Sequence, residues 1–307
     1  MTRFHLMASF AFLTLVSASA ADLPADWRSV DPENLVLIDT KYGQVAVELA
    51  PEFAPNHAER VRALIRARFY DGLAFYRVID GFVAQGGIGE GTASNKNHPV
   101  EAKTLNQWPA LKAEFDRASK PEPIFTPLGN ADLFAPEVGF EDGFAVARDS
   151  SSGREWLVHC PGTFAFARDN DPDTATTEFY VVIGEAPRRL DRDLTAFGRV
   201  LSGMQFLQKL ERGDPDVDNG VIADFSRADK ILRVRIAADD VLIGALQVLR
   251  PQGGSVRRRL RIIGDEAVGR CRSAAADNLR RRPRHRWEKE HRDQQCGKPQ
   301  TENYADS

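Results

Sequence analysis

Hydrophobic positions change their period several times along the chain. Val45, Val47 and Leu49 alternate with Gln44, Ala46 and Glu48, the two-residue period of a half-buried strand. Leu35 to Asp39 precedes them, across Thr40-Lys41-Tyr42-Gly43. The pair is predicted to form a β-hairpin, with Gly43 relaxing the turn. The period then lengthens. In Pro55 to Arg68, Val61, Leu64 and Ile65 fall at i, i+3 and i+4 while arginines occupy other positions, so a helix is predicted with Pro55 in its first turn. A second helix is predicted from about Gly203 to Leu210, with Met204, Leu207 and Leu210 on one face. Ser202 and Gln205 have capping-box spacing, and Gly213 and Pro215 stop it.

Around these helices lie short β-rich runs: Ala74–Ile79, Val83–Gln85, Thr163–Ala167, Phe179–Ile183, Thr195–Val200 and Leu232–Ile236. Strands do not alternate with helices, which disfavours a doubly wound sheet. The pattern predicts a mainly β fold, a closed antiparallel β-barrel of about eight strands capped by two α-helices. Residues 117–160 interrupt the rhythm with Pro121, Pro123, Pro127, Pro136 and several lone glycines. They are expected to be an inserted loop segment, and loops of that length are often functional.

The amino terminus reads as an address. Arg3 supplies a positive start, Leu6 to Val16 an apolar core of 11 residues, and Ala18-Ser19-Ala20 the small residues of a cleavage site. A spanning helix needs about 20 apolar residues, so a cleaved signal peptide over residues 1–20 is expected rather than an anchor. The expected location is periplasmic or secreted, with no stable membrane insertion after cleavage. The 307 residues carry a net charge of −3, but residues 241–307 hold 13 Arg and 2 Lys against 8 acidic residues. An acidic body of −10 therefore carries a basic tail of +7. That tail reads as a disordered extension or as the product of a shifted reading frame; an arm for an acidic surface is the functional rival. Nucleic acid is not expected as a partner of an exported protein. Three cysteines exclude a disulfide-built scaffold; Cys160 is alone in the body, while Cys271 and Cys296 in the tail could pair with each other.

One stretch decides the chemistry. Phe75-Tyr76-Arg77-Val78-Ile79-Asp80-Gly81-Phe82-Val83-Ala84-Gln85-Gly86-Gly87 resembles the signature F-H-R-[VI]-I-x-G-F-x-x-Q-G-G of the cyclophilins, the peptidyl-prolyl cis-trans isomerases. Further matches follow at Tyr70-Asp71-Gly72, Gly162 to Arg168, Thr177 to Tyr180, and Leu190-Asp191 to Val200, in the family's order. The resemblance covers about residues 34–237 apart from the insertion. It implies the cyclophilin barrel, proline-containing unfolded or partly folded polypeptides as partners, and no cofactor or metal. It also implies catalytic roles for Arg77 and Gln85. Phe82, Val83, Ala167, Arg168, Glu178, Tyr180, Leu190 and Leu194 are implied as substrate-binding residues, and a monomer is the expected state.

The residue types suit the reaction. An X–Pro bond rotates over a barrier of ~18–20 kcal/mol, which is lost amide resonance. A catalyst must bind the twisted amide better than either planar form. Arg77, permanently charged with a rigid fork of donors, can reach the prolyl nitrogen lone pair that the twist frees. Gln85 can hold the neighbouring carbonyl while the other half turns. Phe82, Val83, Tyr180 and Leu194 form an apolar pocket for the ring.

Departures from the family pattern bear on activity. Arg168 stands where the family often has Asn, Glu178 replaces a Gln, and Tyr180 a Phe. The family's tryptophan falls at Arg189 and the His of many members at Leu194. Glu178 is expected to pair with Arg77 or Arg168. Weakened turnover and poor cyclosporin binding are expected, and a non-catalytic proline-binding chaperone is the alternative on the same fold.

Other constellations carry less. The glycines at 86, 87, 89 and 91 lack phosphate-loop spacing and a following helix. Asp169 to Asp173 resembles a calcium loop but fails at Thr174 and Tyr180. His57, His98 and His159 are scattered, without metal spacing, and His57 is expected to be exposed near a helix start.

Overall fold

The alternating segments become one eight-stranded antiparallel sheet in a computed structural model of the chain, described for residues 27–89, 92, 107–120, 125–129, 131–240 and 247–249. The predicted signal segment, His98, Cys271, Cys296 and the arginine clusters of the tail lie outside the described residues. In chain order the elements are β1 (Trp27–Ser29), β2 (Leu35–Thr40), β3 (Gly43–Leu49), α1 (Pro55–Arg66), β4 (Ala74–Val78) and β5 (Val83–Gly87). There follow β6 (Arg117–Ala118), β7 (Phe125–Pro127), β8 (Glu137–Glu141), β9 (Phe144–Asp149) and β10 (Arg154–Leu157). The chain continues through β11 (Thr163–Phe166), β12 (Phe179–Val182), β13 (Ala196–Ser202), α2 (Met204–Leu207), β14 (Arg233–Ile236) and β15 (Gln247–Leu249).

The large sheet runs β14-β2-β3-β13-β11-β12-β5-β4. Its two outer strands are drawn together by residues 229–232. Phe75 N donates to Asp229 O at 2.9 Å, and Ile231 N to Leu73 O at 2.8 Å. Leu232 N then donates to Asp39 O on β2 at 2.9 Å. One face of the sheet is lined by Phe164, Phe166, Phe179 and Phe197, each no more than 1% exposed. Phe197 meets Phe164 and Phe166 edge-on, with centroids 5.0 and 4.7 Å apart, the geometry that aromatic quadrupoles favour. Val61, Leu64 and Ile65 of α1 and Leu207 of α2 close this core, as their spacing predicts.

α2 is a single turn, shorter than predicted, and no capping box starts it. Its N-cap is Gly203, at φ 92° without a side-chain cap, and a Cβ there would fall 2.6 Å from Gln44 O. Only glycine accepts both the left-handed backbone and the close approach.

The start of α1 corrects the reading of His57. Its N-cap, Ala54, offers no side-chain acceptor. Glu114 supplies one from elsewhere: its carboxylate accepts the backbone N–H of Asn56 at 3.1 Å and of His57 at 3.0 Å. A carboxylate at a helix N-terminus satisfies orphan donors and the helix dipole together. It also holds His57 Nδ1 at 2.6 Å, so the ring is drawn fully inside against Phe166 and Phe197. Burial pushes the Glu114 pKa up, but His57 and the two amides outweigh it and hold the carboxyl below its ordinary value.

The insertion is not a loop. β6 to β10 form a five-stranded antiparallel sheet in the order β6-β10-β9-β8-β7. Its Phe144, Val146 and Leu157 pack with Ala165, Val182 and Ala196 from the outer face of the large sheet. Four charges lock it. Arg117 and Arg148 each bridge both Glu141 and Glu155 at 2.5–3.2 Å. Glu155 is fully buried, while the guanidinium of Arg117 lies 3.7 Å from the Phe53 ring and that of Arg148 4.1 Å from Phe125. Prolines alone did not reveal this sheet, because β9 and β10 carry ion-pairing residues where a core strand would carry apolar ones. Beyond the body, β15 pairs with β1, so residues 247–249 of the basic segment form a strand. Cys160 is in a disulfide whose partner lies outside the described residues.

Two predictions follow from these anchors. Glu155→Ala leaves two half-buried guanidinium groups short of a partner and is expected to destabilise the chain by about 3 kcal/mol in urea unfolding. An unchanged midpoint would refute the lock. Glu114 has a folded pKa below its unfolded one. Its contribution is therefore present above the unfolded value and is lost as pH falls through the folded one. The stability gap between the parent and Glu114→Gln should close on acidification below the ordinary carboxylate range, measured by unfolding at stepped pH.

Candidate functional site

Strand register brings the candidate residues together. Arg77 on β4 stands opposite Gln85 on β5, Gln85 opposite Tyr180 on β12, and Tyr180 opposite Ala165 on β11. Directly paired residues share a face. The row Arg77-Gln85-Tyr180-Ala165 therefore crosses four strands on the outside of the sheet. Two residues along each strand, Val83 faces Val182, and Glu178 lies beside Ala167 through Ala167 N–H to Glu178 O at 2.7 Å.

β4 carries a bulge, since Ala74 pairs with Gly87 and Arg77 with Gln85, three residues against two. A bulge re-aims side chains. Here it lets neighbouring Tyr76 and Arg77 both reach Gln85. Arg77 Nη1 donates to Gln85 Oε1 at 3.1 Å and its Nε to Asn219 O at 2.8 Å. Gln85 Nε2 donates to the Tyr76 hydroxyl at 2.5 Å. Burial lowers the Arg77 pKa from its usual high value. The guanidinium nonetheless stays charged at any physiological pH.

The apolar part assembles as expected. Phe82, Ala167 and Leu194 pack against the cluster containing Val83 and Tyr180. Val83 and Tyr180 are already 2% and 3% exposed, so the wall is close-packed. Leu190 sits in the turn at 188–190, where its carbonyl accepts the N–H of Asp193 and Leu194 at 3.1 Å. Arg189, exposed, lies with its guanidinium 5.3 Å from the Phe82 ring and has no ion pair among the described residues. A cavity of about 280 Å³ lies elsewhere, between the inserted sheet and the large sheet, lined by Val138, Phe144, Leu157, Arg188 and Arg199.

One expectation fails. Glu178 pairs with neither arginine. Its carboxylate turns beneath Gly87 and accepts the backbone N–H of Ile88 at 2.9 Å and Gly89 at 3.1 Å, with the Thr177 hydroxyl at 3.2 Å. Backbone amides aimed at one point form a nest for the carboxylate. Arg168 turns the other way, onto Asp193 at 2.5 Å and the carbonyls of Asp169 and Asn170, so its charge is spent locally.

One residue outside the predicted site joins it. His159, fully buried, places Nε2 2.8 Å from the Tyr180 hydroxyl. Asp191 takes the His159 backbone N–H at 2.8 Å and pairs with Arg188 at 2.6 Å, and Arg188 in turn pairs with Asp132 of the insertion. Burial pushes the Tyr180 pKa well up, helped by the charges of Asp191 and Asp193. The hydroxyl that distinguishes Tyr180 from Phe is thus satisfied by His159, and the only sequence signal was that substitution itself.

The family model for "Cyclophilin type peptidyl-prolyl cis-trans isomerase/CLD" matches residues 35–236. The chain belongs to that family. Among curated relatives, a probable peptidyl-prolyl cis-trans isomerase of Brucella suis is 29% identical over 237 residues, covering 76% of this chain and 95% of that protein. A peptidyl-prolyl cis-trans isomerase of Acinetobacter baylyi is 24% identical over 180 residues, covering 57% of this chain and 71% of that protein. The crystal structure of cyclophilin AquaCyp293 from Hirschia baltica aligns at TM-score 0.63 and 30% identity, covering 80% of this chain and 90% of that one. The chain is accordingly a cyclophilin-type isomerase in class, with a divergent bacterial sequence.

Gly87 is the position where space decides the site. It has φ +151°, and a Cβ would collide with the Glu178 carboxylate. Gly87→Ala is expected to cost about 1–3 kcal/mol in chemical unfolding. A neutral result would mean that the carboxylate does not lie beneath it.

Proposed function

We propose that the chain accelerates cis-trans rotation of X–Pro bonds in exported, unfolded or partly folded polypeptides, acting as a monomer in the periplasm or outside the cell. The location rests on the reading of residues 1–20 as a cleaved signal. Among the described residues no helix is long and apolar enough to cross a membrane.

The observation that carries the reading is the row of Arg77, Gln85 and Tyr180 on one face. A substrate proline rests on Phe82, Val83, Tyr180 and Leu194, with Ala167, Arg168 and Leu190 at the margin. Arg77 donates to the prolyl nitrogen as the amide twists, when the lone pair is freed from resonance. The planar amide offers no such lone pair, so this interaction is stronger in the transition state than in either ground state. Gln85 holds the adjacent carbonyl. Each ~1.4 kcal/mol of this preference is worth tenfold in rate. No nucleophile or proton transfer is needed.

Exchange spectroscopy on an X–Pro peptide with the full chain is the test. The parent should accelerate exchange, and Arg77→Ala should reduce kcat/KM by about 100-fold, as for loss of a charge-assisted contact made in the transition state. Equal acceleration by both would remove Arg77 from the mechanism. Binding without acceleration would leave a proline-binding chaperone.

A further inference from the structure

The Tyr180 hydroxyl is buried with its ring, and a buried hydroxyl needs a partner. His159 supplies it: Nε2 lies 2.8 Å from the phenol oxygen, and the two ring planes lie 17° apart. Strand β12 fixes one end of the tyrosine, and this bond fixes the other. His159 sits in the link between β10 and β11, where the inserted sheet returns to the large sheet.

His159 is itself held on every side. Val158 N–H donates to Ala145 O on β9 at 3.0 Å, and Cys160 N–H to the Thr163 hydroxyl on β11 at 3.0 Å. The His159 backbone N–H donates to Asp191 Oδ1 at 2.8 Å, and Nδ1 lies 3.1 Å from the same oxygen. Arg188 donates to the other oxygen of that carboxylate at 2.6 Å and pairs with Asp132 of the insertion. A carboxylate ionised by a buried guanidinium can only accept, so Nδ1 carries a proton. In the neutral ring Nε2 is then an acceptor, and the phenol O–H donates to it.

We infer that His159 is a positioning residue for the proline pocket. It takes up the Tyr180 hydroxyl and so keeps that ring as a wall of the pocket, and the inserted sheet holds it there through Asp132, Arg188 and Asp191. The inference rests on the isomerase reading proposed above and deepens it.

The surroundings of Tyr180 say what the loss of His159 does. Val146, Val182, Ala165 and Ala196 are buried, whereas Phe82, Ala167 and Leu194 are half-buried. A phenol deprived of its partner finds water on the Phe82 and Leu194 side, which is the seat of the substrate proline. A phenylalanine makes no such demand. Removing His159 therefore harms binding when residue 180 is Tyr and spares it when residue 180 is Phe.

The test measures kcat and KM for X–Pro exchange by the full chain, for the parent, His159→Leu, Tyr180→Phe, their combination, and Asp132→Asn in both backgrounds. His159→Leu should raise KM about five- to tenfold, as for the loss of one hydrogen bond. Its kcat should change little, because the donation from Arg77 to the twisted amide is untouched and only uniform binding is lost. The combined variant should have the KM of Tyr180→Phe alone, since no hydroxyl remains to be placed. Asp132→Asn takes a charge from Arg188 but keeps an oxygen for the Phe134 and Ala135 amides, and should raise KM in the same direction by less, again only with Tyr at 180. An unchanged KM in His159→Leu, or a rise that persists undiminished beside Tyr180→Phe, would overturn the inference, because a histidine that serves stability alone acts alike in both backgrounds. Should His159→Leu fail to fold, the two Asp132→Asn variants decide, together with the imidazole nitrogen spectrum of the parent: a neutral His159 protonated on Nε2 and bare on Nδ1 overturns the inference. A parent that accelerates no X–Pro peptide would sink the isomerase reading instead, and the same comparison would then be read from peptide affinity by NMR titration.

Discussion

The pairing register of β4, β5 and β12 is the constraint on which the site depends. A shift of one residue in a strand moves every side chain to the opposite face. Arg77, Gln85 and Tyr180 would then point into the phenylalanine core, and Phe179 would face water. The core enforces the register from below: Phe164, Phe179 and Phe197 fit together only when their strands are aligned as they are. The functional row is thus held in place by residues that never touch a substrate. The β4 bulge departs from strict alternation where two consecutive side chains are needed on one side.

The inserted sheet uses the same outer face further along. Val182, Ala165 and Ala196 pack with Phe144, Val146 and Leu157, while Val83 and Tyr180 remain in the same cluster toward Phe82 and Leu194. A bare sheet face would expose a large apolar patch. Covering part of it makes the remaining wall rigid. The cover is tied to the wall by polar links as well, from Asp132 through Arg188 and Asp191 to His159 and Tyr180. The insertion is therefore structurally continuous with one side of the proposed proline pocket.

Much of this was legible beforehand, and the failures share a cause. Alternation placed β2 and β3, and helical spacing placed α1, because one buried face leaves a local period in the chain. The Arg77 to Gly87 motif placed the site because its residues are neighbours in sequence or register. What escaped were contacts between distant segments. Nothing near His57 announces that Glu114, 57 residues on, will cap its helix and draw it inside. Nothing near Tyr180 announces His159. The inserted sheet escaped because its stability comes from Arg117, Arg148, Glu141 and Glu155, residues whose composition looks like a solvated loop until their partners are known. Glu178 was assigned an arginine by charge alone, whereas the backbone amides of Ile88 and Gly89 were the nearer and better-aimed donors.

That last miss has a general physical content. A carboxylate in place of a glutamine changes more than charge. Glutamine can donate and accept, so a chain of hydrogen bonds ending on it can run in either direction. A carboxylate can only accept. The substitution that looks like a loss of the family's polar contacts therefore supplies an acceptor for the Ile88 and Gly89 amides, at the cost of burying a carboxyl group. Buried charges are tolerated when every lone pair finds a partner. Two amides and a threonine hydroxyl supply those partners here.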